Sequence, residues 1–391
     1  MNILLRRYIP VLVFFTFFLS VHISQSYSSE GYINSITLDT LDVNIDSLSV
    51  SIDTLSASVD TPIVAIDTLS VIGVGDIMLG THFPHKGYLP PNNDCKPLLA
   101  PVKHILTGAD ITFGNLEGSF LNEGKVVKKC RDTTKCYAFK MPESYVECLA
   151  ESGFDVVSLA NNHVGDFGDL GRNRTINLLD SVGIAYGGLL GYPTSIFERN
   201  GKRIGFCAFS PNRGTCSINN IPAAKRIVSE LKKDADIVIV SFHGGAEGAE
   251  HRNVTRETEI FYGENRGNVY EFARHVIDAG ADIVFGHGPH VTRAMDLYKG
   301  RFIAYSLGNF CTYGRFNLQG AKGFAPIVKV LIDKNGKFVQ GQIFSIAQKG
   351  RGGAELDPQD RAIREIIRLT KADFPESELD ITPDGIIKIK E

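Results

Sequence analysis

The feature that most constrains the fold of this chain is an apolar run, residues 154–159, that stops at the polar residues Asn161, Asn162 and His163. The run is rich in β-branched residues and follows a helical pattern over residues 142–151, which predicts a buried strand of an α/β sheet. Open α/β sheets bind ligands at the carboxyl ends of their strands. Three polar side chains buried in a core would each need a partner. We therefore expect this strand end to form part of a functional site.

Four other apolar runs, which begin at Ile72, Ile111, Ile237 and Ile283, end in the same way. The polar residues at or just after their ends are, in chain order, Asp76, Asn115 and Glu117, His243 and Glu247, and His287 and His290. Oxygen and imidazole groups collected at one sheet edge suit a hard or borderline divalent metal. They equally suit acid–base work on a small polar substrate.

Strand and helix patterns alternate along residues 71–348, which we expect to form one domain. Helical patterns over residues 172–181, 225–233 and 269–277 each precede a strand pattern. Such alternation predicts a mostly parallel or mixed sheet with helices on both faces. A domain of about 280 residues is long enough to bury a large core.

The N-terminus has the pattern of an export signal over residues 1–26. Arg6 and Arg7 precede the apolar run 9–21. The run is shorter than the span of about 20 residues that crosses a bilayer, so cleavage is favoured, with an uncleaved membrane anchor as the alternative. We expect an exported protein, periplasmic or at the cell surface. The net charge of −3 provides no basic footprint for nucleic acid.

Residues 27–70 are expected to form a flexible spacer, and residues 349–391 a helical extension that packs on the domain. The spacer contains a seven-residue repeat, but its Ser, Thr, Asp and β-branched residues are poor helix formers, which argues against a coiled coil. An extended stalk and a repeat expansion without function both remain open. In the extension, residues 361–370 have a helical pattern.

Seven cysteines in an exported chain permit disulfides, and the odd number leaves at least one thiol unpaired within the chain. Cys130 and Cys136 flank a polar loop and are the first candidate pair. Cys207 and Cys216 are the second.

Six motifs in fixed order resemble those of the CapA-type capsule-synthesis proteins, a family associated with poly-γ-glutamate capsules. They occupy residues 75–79, 115–117, 160–168, 241–247, 286–291 and 305–310. The family is similar in fold to the calcineurin-like metallophosphoesterases. The resemblance therefore implies a four-layer α/β sandwich, with two mixed β-sheets flanked by helices. It also implies a role in the synthesis or export of a surface polymer, with membrane capsule-synthesis proteins as partners and an anionic polymer or a phosphoester as substrate.

The resemblance also implies roles for the strand-end residues. Met78 and Asn115 stand where the phosphoesterase pattern has a histidine and a metal-bridging aspartate, and Glu117 is a candidate replacement. The candidate metal ligands are Asp76, Asn115, Glu117, Asn162, His243, His287 and His290, and the candidate catalytic residues are His163, Asn161 and Glu247. The expected cofactor is Mn, Zn or Fe, with one or two ions per chain. A non-catalytic assembly factor that binds polymer in the same cleft is the alternative function.

Three further features carry expectations of their own. Asp166 is expected to form a turn and cap the following helix. Asn309 is a further candidate ligand. Residues 248–267 form a polar segment that is either a solvated loop or a lid that brings cations to an anionic substrate. The arginines of this segment include Arg252, Arg256 and Arg266.

Overall fold

A computed structural model describes residues 21–28, 31–43, 50–56, 68–129 and 137–390. The chain divides into two compact units, Met1–Asp67 and Thr68–Glu391. In the first unit, three antiparallel strands form a sheet in the order β1 (Val21–Ser28), β2 (Gly31–Val43) and β3 (Val50–Ser56). Most of the predicted signal segment lies outside the described residues.

The second unit alternates strands and helices, as the sequence predicts. Its helices are α1 (Lys96–Leu99), α2 (Lys103–Leu106), α3 (Tyr145–Glu151), α4 (Gly168–Val182), α5 (Ile221–Asp234), α6 (Val269–Asp278) and α7 (Arg361–Asp373). Its strands are β4 (Thr68–Met78), β5 (Ile111–Leu116), β6 (Ser119–Phe120), β7 (Lys140–Met141), β8 (Val156–Ser158), β9 (Ala185–Gly187), β10 (Thr194–Arg199), β11 (Lys202–Phe209), β12 (Ile237–His243), β13 (Ile260–Phe261), β14 (Glu264–Asn265), β15 (Ile283–His287), β16 (Met295–Tyr298), β17 (Arg301–Ala304), β18 (Asn309–Thr312), β19 (Phe324–Asp333), β20 (Phe338–Ala347), β21 (Glu355–Leu356), β22 (Leu379–Ile381) and β23 (Ile386–Ile389).

Two mixed sheets account for most of these strands. The larger has the order β22-β23-β20-β19-β4-β5-β8-β9, with β18 also beside β4 and β21 beside β20. The smaller has the order β10-β11-β12-β15-β17-β16. Strands β4, β5, β8 and β9 run parallel to one another, and so do β11, β12, β15 and β17. Parallel strands put their carboxyl ends at one edge, which brings the polar strand ends together.

The apolar core has three layers. Alternate side chains of a strand point to opposite faces, so Val71 of β4 packs with Phe206 and Phe285 of the smaller sheet, whereas Ile72 faces the helices. Helices α1 to α4 cover the outer face of the larger sheet, and α5 and α6 cover the outer face of the smaller one. Helices, larger sheet, smaller sheet and helices thus form four layers, with apolar core in the three spaces between them. This confirms the predicted four-layer sandwich.

The backbone closes tightly around Asp76. A Cβ atom at Gly75 would lie 2.0 Å from the carbonyl oxygen of Gly308, so only glycine permits this approach. The backbone N–H of Asp76 donates to the same oxygen at 2.8 Å. This contact sets β18 beside β4, with Asn309 opposite Asp76.

The C-terminal segment contains more than the expected helix. Helix α7 packs against strands of both sheets, β16, β19 and β20. Strand β23 then pairs with β20, and β22 pairs with β23, so the tail extends the larger sheet. Within the described residues, no helix has both the length and the apolar character that spanning a bilayer requires.

Among the described cysteines, one disulfide joins Cys95 and Cys148, 53 residues apart in sequence. The predicted pairing of Cys207 with Cys216 is wrong, because both are free thiols buried in the apolar layer beneath α5 and α6. Cys130 and Cys136 lie outside the described residues. Cys95 directly precedes α1 and Cys148 lies in α3. Only the packing of these helices on one sheet face brings the two thiols together.

Candidate metal centre

Three buried side chains converge at the carboxyl edge of the two sheets. Asp76, Glu117 and His243 each offer a ligand atom, and these atoms all lie within 4.8 Å of one another. The strand register explains the convergence, since Asp76 of β4 is opposite Asn115 of β5, and His243 of β12 is opposite His287 of β15.

Asn115 joins the two carboxylates through its amide nitrogen. Its Nδ2 atom donates to Oδ1 of Asp76 at 2.8 Å and to Oε2 of Glu117 at 2.6 Å. Its Oδ1 atom accepts from Nδ2 of Asn161 at 3.2 Å. A neutral donor between two buried carboxylates offsets their repulsion. Asn115 therefore presents nitrogen, not oxygen, to the cluster.

Asn161 is fully buried, and both of its amide atoms are engaged. Besides its bond to Asn115, Nδ2 donates to the carbonyl oxygen of Leu116 at 2.8 Å. Oδ1 accepts from the backbone N–H groups of His163 (3.0 Å) and Val164 (3.1 Å). These bonds shape the turn after β8, so the contacts of Asn161 are those of a positioning residue.

The histidines surround the carboxylates. Nδ1 of His290 lies 2.8 Å from Oδ2 of Asp76, and Nδ1 of His287 lies 3.5 Å from Oδ1 of Asp76. Nδ1 of His243 lies 3.7 Å from Oε2 of Glu117. His290 adopts a positive φ of 57°, which is rare for a residue with a side chain and directs its ring here.

Several buried polar atoms of this cluster have no hydrogen-bond partner among the described residues. They are both ring nitrogens of His243 and of His287, Oε1 of Glu117, Oδ1 of Asn162 and Oδ1 of Asn309. Unsatisfied buried polar atoms cost free energy, so a group of them at one place requires an explanation. Imidazole nitrogens and carboxylate or amide oxygens are ligand atoms for divalent cations. The donor set therefore fits a metal ion.

Burial and mutual charge set the protonation of the cluster. Burial, reinforced by the charge of Asp76, raises the pKa of Glu117 to about 8. Burial opposes charge on His290, but its bond to Asp76 prevails and raises the pKa of His290 to about 9. Burial also acts against ionised Asp76, yet His287 and His290 hold its pKa well below the usual range. Burial, and then the charge of Arg266, hold the pKa of His243 well below its usual range, so His243 is a neutral imidazole suited to ligation.

His163 is held by Asp166, three residues along the chain. Nδ1 of His163 lies 2.7 Å from Oδ2 of Asp166, which also accepts from the backbone N–H of Phe139 at 2.9 Å. Nζ of Lys128 lies 3.1 Å from the other carboxylate oxygen. Nε2 of His163 faces the cluster, 4.0 Å from Oε1 of Glu117. Burial lowers the pKa of His163, and the charge of Asp166 opposes that shift.

The expectation that Asp166 caps a helix is wrong. Helix α4 begins at Gly168 without a side-chain cap, because the carboxylate of Asp166 is taken up by His163, Lys128 and the Phe139 backbone. The three-residue spacing of His163 and Asp166 was the available signal in the sequence. Lys128 and Phe139 belong to a segment distant in sequence, so no local pattern indicated their contacts with Asp166.

A cleft with two arms opens over the cluster. The aromatic arm, about 790 Å³, is lined by residues that include Tyr137, Phe139 and Phe316. The cationic arm, about 620 Å³, is lined by residues that include Lys128, Arg172, Arg213 and Arg266. Asn162 and Glu247 line both arms, where the arms meet. Pockets of this size take small molecules or short polymer segments.

Within the polar segment 248–267, two arginines contact the C-terminal segment and one lies beside the cleft. Arg252 donates to Glu365 of α7 at 2.9 Å, and Arg256 pairs with Glu376, so these two arginines hold the C-terminal segment. Arg266 instead turns inward with 2% of its surface exposed, and its Nη2 atom lies 3.2 Å from Oε1 of Glu247.

A buried ion pair that the sequence gave no sign of fixes the loop that carries Glu247. Arg293 pairs with Glu259 through two contacts, of 2.8 and 2.7 Å. Glu259 also accepts from the backbone N–H of Ala246 at 2.8 Å, and Arg293 donates to the Ala246 carbonyl. The partners are 34 residues apart, which is why local sequence patterns did not reveal them.

The family model for the bacterial capsule synthesis protein PGA_cap matches residues 70–313, more than half of the chain. The chain belongs to this family. The family resemblance predicted from the motifs is confirmed, and the matched region spans every strand end of the metal-ligand cluster.

Two relatives carry related names. The capsule biosynthesis protein CapA of Bacillus anthracis is 30% identical over 261 residues, covering 62% of this chain and 59% of that protein. The PGA biosynthesis protein CapA of Bacillus subtilis is 31% identical over 258 residues, covering 62% of this chain and 63% of that protein. The chain thus spans about three fifths of the length of these curated relatives. Among solved structures, a purple acid phosphatase from yellow lupin seeds is similar with a TM-score of 0.37 and 9% identity, over 88% of this chain and 68% of that one.

Proposed function

We propose that this PGA_cap family member acts in the biosynthesis of an anionic surface polymer, and that its strand-end cluster is a metal-dependent hydrolytic centre. The observation that carries the proposal is the convergence of Asp76, Glu117 and His243 within 4.8 Å, beside imidazole nitrogens without partners. The names of the two CapA relatives support the polymer, of which poly-γ-glutamate is the first candidate.

Five residues would hold the metal: Asp76, Glu117, His243, His287 and His290. Their mixture of carboxylate and imidazole suits Mn, Zn or Fe. A divalent ion at this place supplies Lewis-acid polarisation of a scissile γ-glutamyl amide or phosphoester bond. Asn162 and Asn309 each direct an unpartnered amide oxygen that is available to the ion or to substrate.

His163 supplies the proton in this proposal. Asp166 accepts from Nδ1 and so holds the tautomer in which Nε2 faces the cluster. Nε2 carries no proton in that tautomer, so it can accept one from the attacking water and then transfer it to the leaving group of a substrate bound in the cleft. The low pKa of His163 allows it to give up that proton readily.

A second candidate function is polymer binding without hydrolysis. It is favoured by Asn115, whose amide nitrogen contacts both carboxylates where the phosphoesterase pattern has a bridging aspartate. A nitrogen donor there does not ligate a cation, which argues for one metal ion or none.

Metal content separates these candidates. The full-length protein, Asp76→Ala, His243→Ala and the control His275→Ala would be purified and their Mn, Zn and Fe measured. We expect about one tightly bound ion per chain in the wild type and the control, and loss of the ion in the other two variants. Hydrolysis of γ-glutamyl amides and phosphoesters would then be assayed. A folded wild type without bound metal at any supplied concentration would contradict the hydrolytic centre and leave the binding function.

We further propose that the protein is exported and works with membrane capsule-synthesis proteins. The signal pattern over residues 1–26 and the disulfide between Cys95 and Cys148 support export, because disulfides persist in oxidising compartments. Cell fractionation with an antibody to the chain tests this location.

A further inference from the structure

The hairpin of β13 and β14 holds an exposed aromatic ring at the rim of the cleft. Its two-residue turn consists of Tyr262 and Gly263, and Tyr262 lines both arms. Tyr262 is 94% exposed, and its ring contacts that of Phe261, with ring centroids 4.3 Å apart. A side chain this exposed buries little apolar surface, so packing within the described residues does not account for a tyrosine at this position.

The backbone of the same turn also disfavours a tyrosine. Tyr262 has a φ of 48° and Gly263 a φ of 81°. A two-residue hairpin turn with two positive φ values favours Asn, Asp or Gly, and a large side chain at the first position strains the backbone. Strain of this kind is concentrated at ligand-binding sites. The Tyr262 ring is therefore a candidate for contact with a ligand.

Further aromatic rings line the aromatic arm from two other segments of the chain. Phe139 and Phe316 stack with ring centroids 5.1 Å apart, and Tyr137 is half exposed. Phe261 and Tyr262 line the same arm from the hairpin. Aromatic surfaces that converge on one cavity suit a ligand that contains a ring.

Two of the cations in the aromatic arm are already engaged. The guanidinium group of Arg315 lies 4.9 Å from the ring centroid of Tyr88 and 4.7 Å from that of Tyr137. Nζ of Lys128 lies 3.1 Å from a carboxylate oxygen of Asp166. Recognition of a phosphate or a carboxylate requires cationic donors that the ligand can reach. These contacts therefore argue against an anionic ligand in this arm.

The other polar groups of the arm favour an uncharged ligand that can donate hydrogen bonds. One further lysine and two acids line it, namely Lys322, Glu247 and Glu250. Asn162 and Asn309 also line it, and their Oδ1 atoms have no hydrogen-bond partner among the described residues. A hydroxyl group can donate to these oxygens, whereas an ionised carboxylate or phosphate has no proton to donate.

We propose that the aromatic arm binds a neutral hexopyranose unit of a glycan, with a C–H face of the sugar packed on the Tyr262 ring. A pyranose with equatorial hydroxyls has C–H groups on both faces and hydroxyls around its edge, so it matches aromatic rings flanked by amide oxygens. The arm, of about 790 Å³, has room for such a unit. A polysaccharide is thus a second class of ligand, distinct from the anionic polymer of the proposed function and independent of the metal.

The test measures the binding of cellohexaose to the full-length protein by titration calorimetry, beside a γ-linked glutamate hexamer. The variants are Tyr262→Gly, Tyr262→Phe and Tyr137→Ala. The first control is Tyr192→Ala, which alters an exposed tyrosine that lines neither arm, and the second is Arg213→Ala, which alters the cationic arm alone. Each protein is measured as purified and after treatment with EDTA, and its metal content and unfolding temperature are determined in parallel.

We expect Tyr262→Gly to weaken cellohexaose binding by roughly fivefold or more, the lower end of what stacking on an aromatic side chain contributes. It should unfold at the wild-type temperature or above, because glycine suits the positive φ. Tyr262→Phe, which keeps the ring, should restore binding to within about twofold of the wild type. Tyr137→Ala should weaken binding, whereas Tyr192→Ala, Arg213→Ala and EDTA should leave it unchanged.

Three results would overturn the glycan site: no cellohexaose binding by the wild type, equal binding by the wild type and Tyr262→Gly, or losses of glutamate-hexamer binding alone. A lower unfolding temperature in Tyr262→Gly would show that the ring serves the fold and would overturn its contact with a ligand. Equal losses in Arg213→Ala and Tyr137→Ala would overturn the assignment to the aromatic arm.

The outcome is separable from that of the proposed function. Cellohexaose binding that depends on Tyr262 in a metal-free wild type would support the glycan site and contradict the hydrolytic centre. Bound metal and hydrolysis without cellohexaose binding would support the hydrolytic centre and contradict the glycan site.

Discussion

Nδ1 of His163 lies 2.7 Å from Oδ2 of Asp166, and both side chains are buried beside the cluster of Asp76, Glu117 and His243. The Phe139 ring packs against the imidazole, with ring centroids 4.0 Å apart and the ring planes tilted by 30°. The ring is therefore fixed in position and in tautomer, with its Nε2 atom directed towards Glu117. This arrangement makes His163 the residue that accepts and then donates the proton in the proposed reaction, and Asp166 its positioning residue.

Asp166→Asn should reduce hydrolysis by roughly 10²- to 10⁴-fold, the usual contribution of a positioned acid or base. The side-chain amide of the new asparagine can donate a hydrogen bond to Nδ1, which favours the tautomer with its proton on Nε2. The pKa of His163 should fall further, because the charge that opposes the effect of burial is removed. NMR titration of the ring and turnover assays check both effects. Asp169→Asn, which removes an exposed carboxylate of α4, should change neither, and an unaltered His163 titration in Asp166→Asn would refute the role of Asp166.

Asn115→Asp should make stability depend on metal. Without metal, a third carboxylate would be buried beside Asp76 and Glu117, which should lower the free energy of unfolding by about 3 kcal/mol. With metal, the added charge should tighten binding. Thermal unfolding in EDTA and in Mn²⁺ measures both effects. Asn173→Asp adds the same charge at an exposed position of α4 and serves as the control. Equal destabilisation in both conditions would argue against a cation at the cluster.

Gly75→Ala should destabilise the protein by about 3 kcal/mol and abolish metal binding, because its Cβ atom would collide with the carbonyl oxygen of Gly308 and displace Asp76. Chemical denaturation and metal analysis measure the two effects. At Gly191, no described atom lies within 4 Å of the added Cβ atom. Gly191→Ala should therefore remain within about 0.5 kcal/mol of the wild type. Similar stability of the two variants would show that the close approach is not required.

Loss of the disulfide between Cys95 and Cys148 should lower the free energy of unfolding by roughly 2–4 kcal/mol, since the bond closes a long loop in the unfolded chain. Thermal unfolding of the wild type should shift to lower temperature with a reductant. The double variant Cys95→Ala/Cys148→Ala should begin at the lower temperature and show no further shift. Identical shifts in both proteins would mean that the reductant acts elsewhere.

The strand ends show how much of the candidate site could be predicted from the sequence alone. Asp76, Glu117, His243 and His287 were all predicted to share one sheet edge, because each follows an apolar run and parallel strands end together. The two mixed sheets flanked by helices followed from the motif resemblance and the alternation of patterns. For the seven-residue repeat, by contrast, the choice between an extended stalk and an expansion without function is not tested by the described residues.

The C-terminal strands β22 and β23 were not predicted, because their pairing with β20 depends on register at a sheet edge. They are also only three and four residues long, too short for a clear periodicity. The disulfide partner of Cys95 was missed for a similar reason, since the two helices that bring the thiols together are separated by three strands in the chain.

The sequence by itself determined which residues end the strands, and hence which side chains reach the cluster, because hydrophobic periodicity and its interruption are local properties. Only the tertiary structure decided what these side chains do there. Asn115 faces the carboxylates with nitrogen because Asn161 occupies its oxygen, and His290 reaches Asp76 across 214 residues of chain. Arg266 is buried beside the cleft, where its guanidinium contacts Gly245 and Glu247. Hydrogen-bond direction and the environment of a charge are set by neighbours distant in sequence, so they arise only when the sheets have packed.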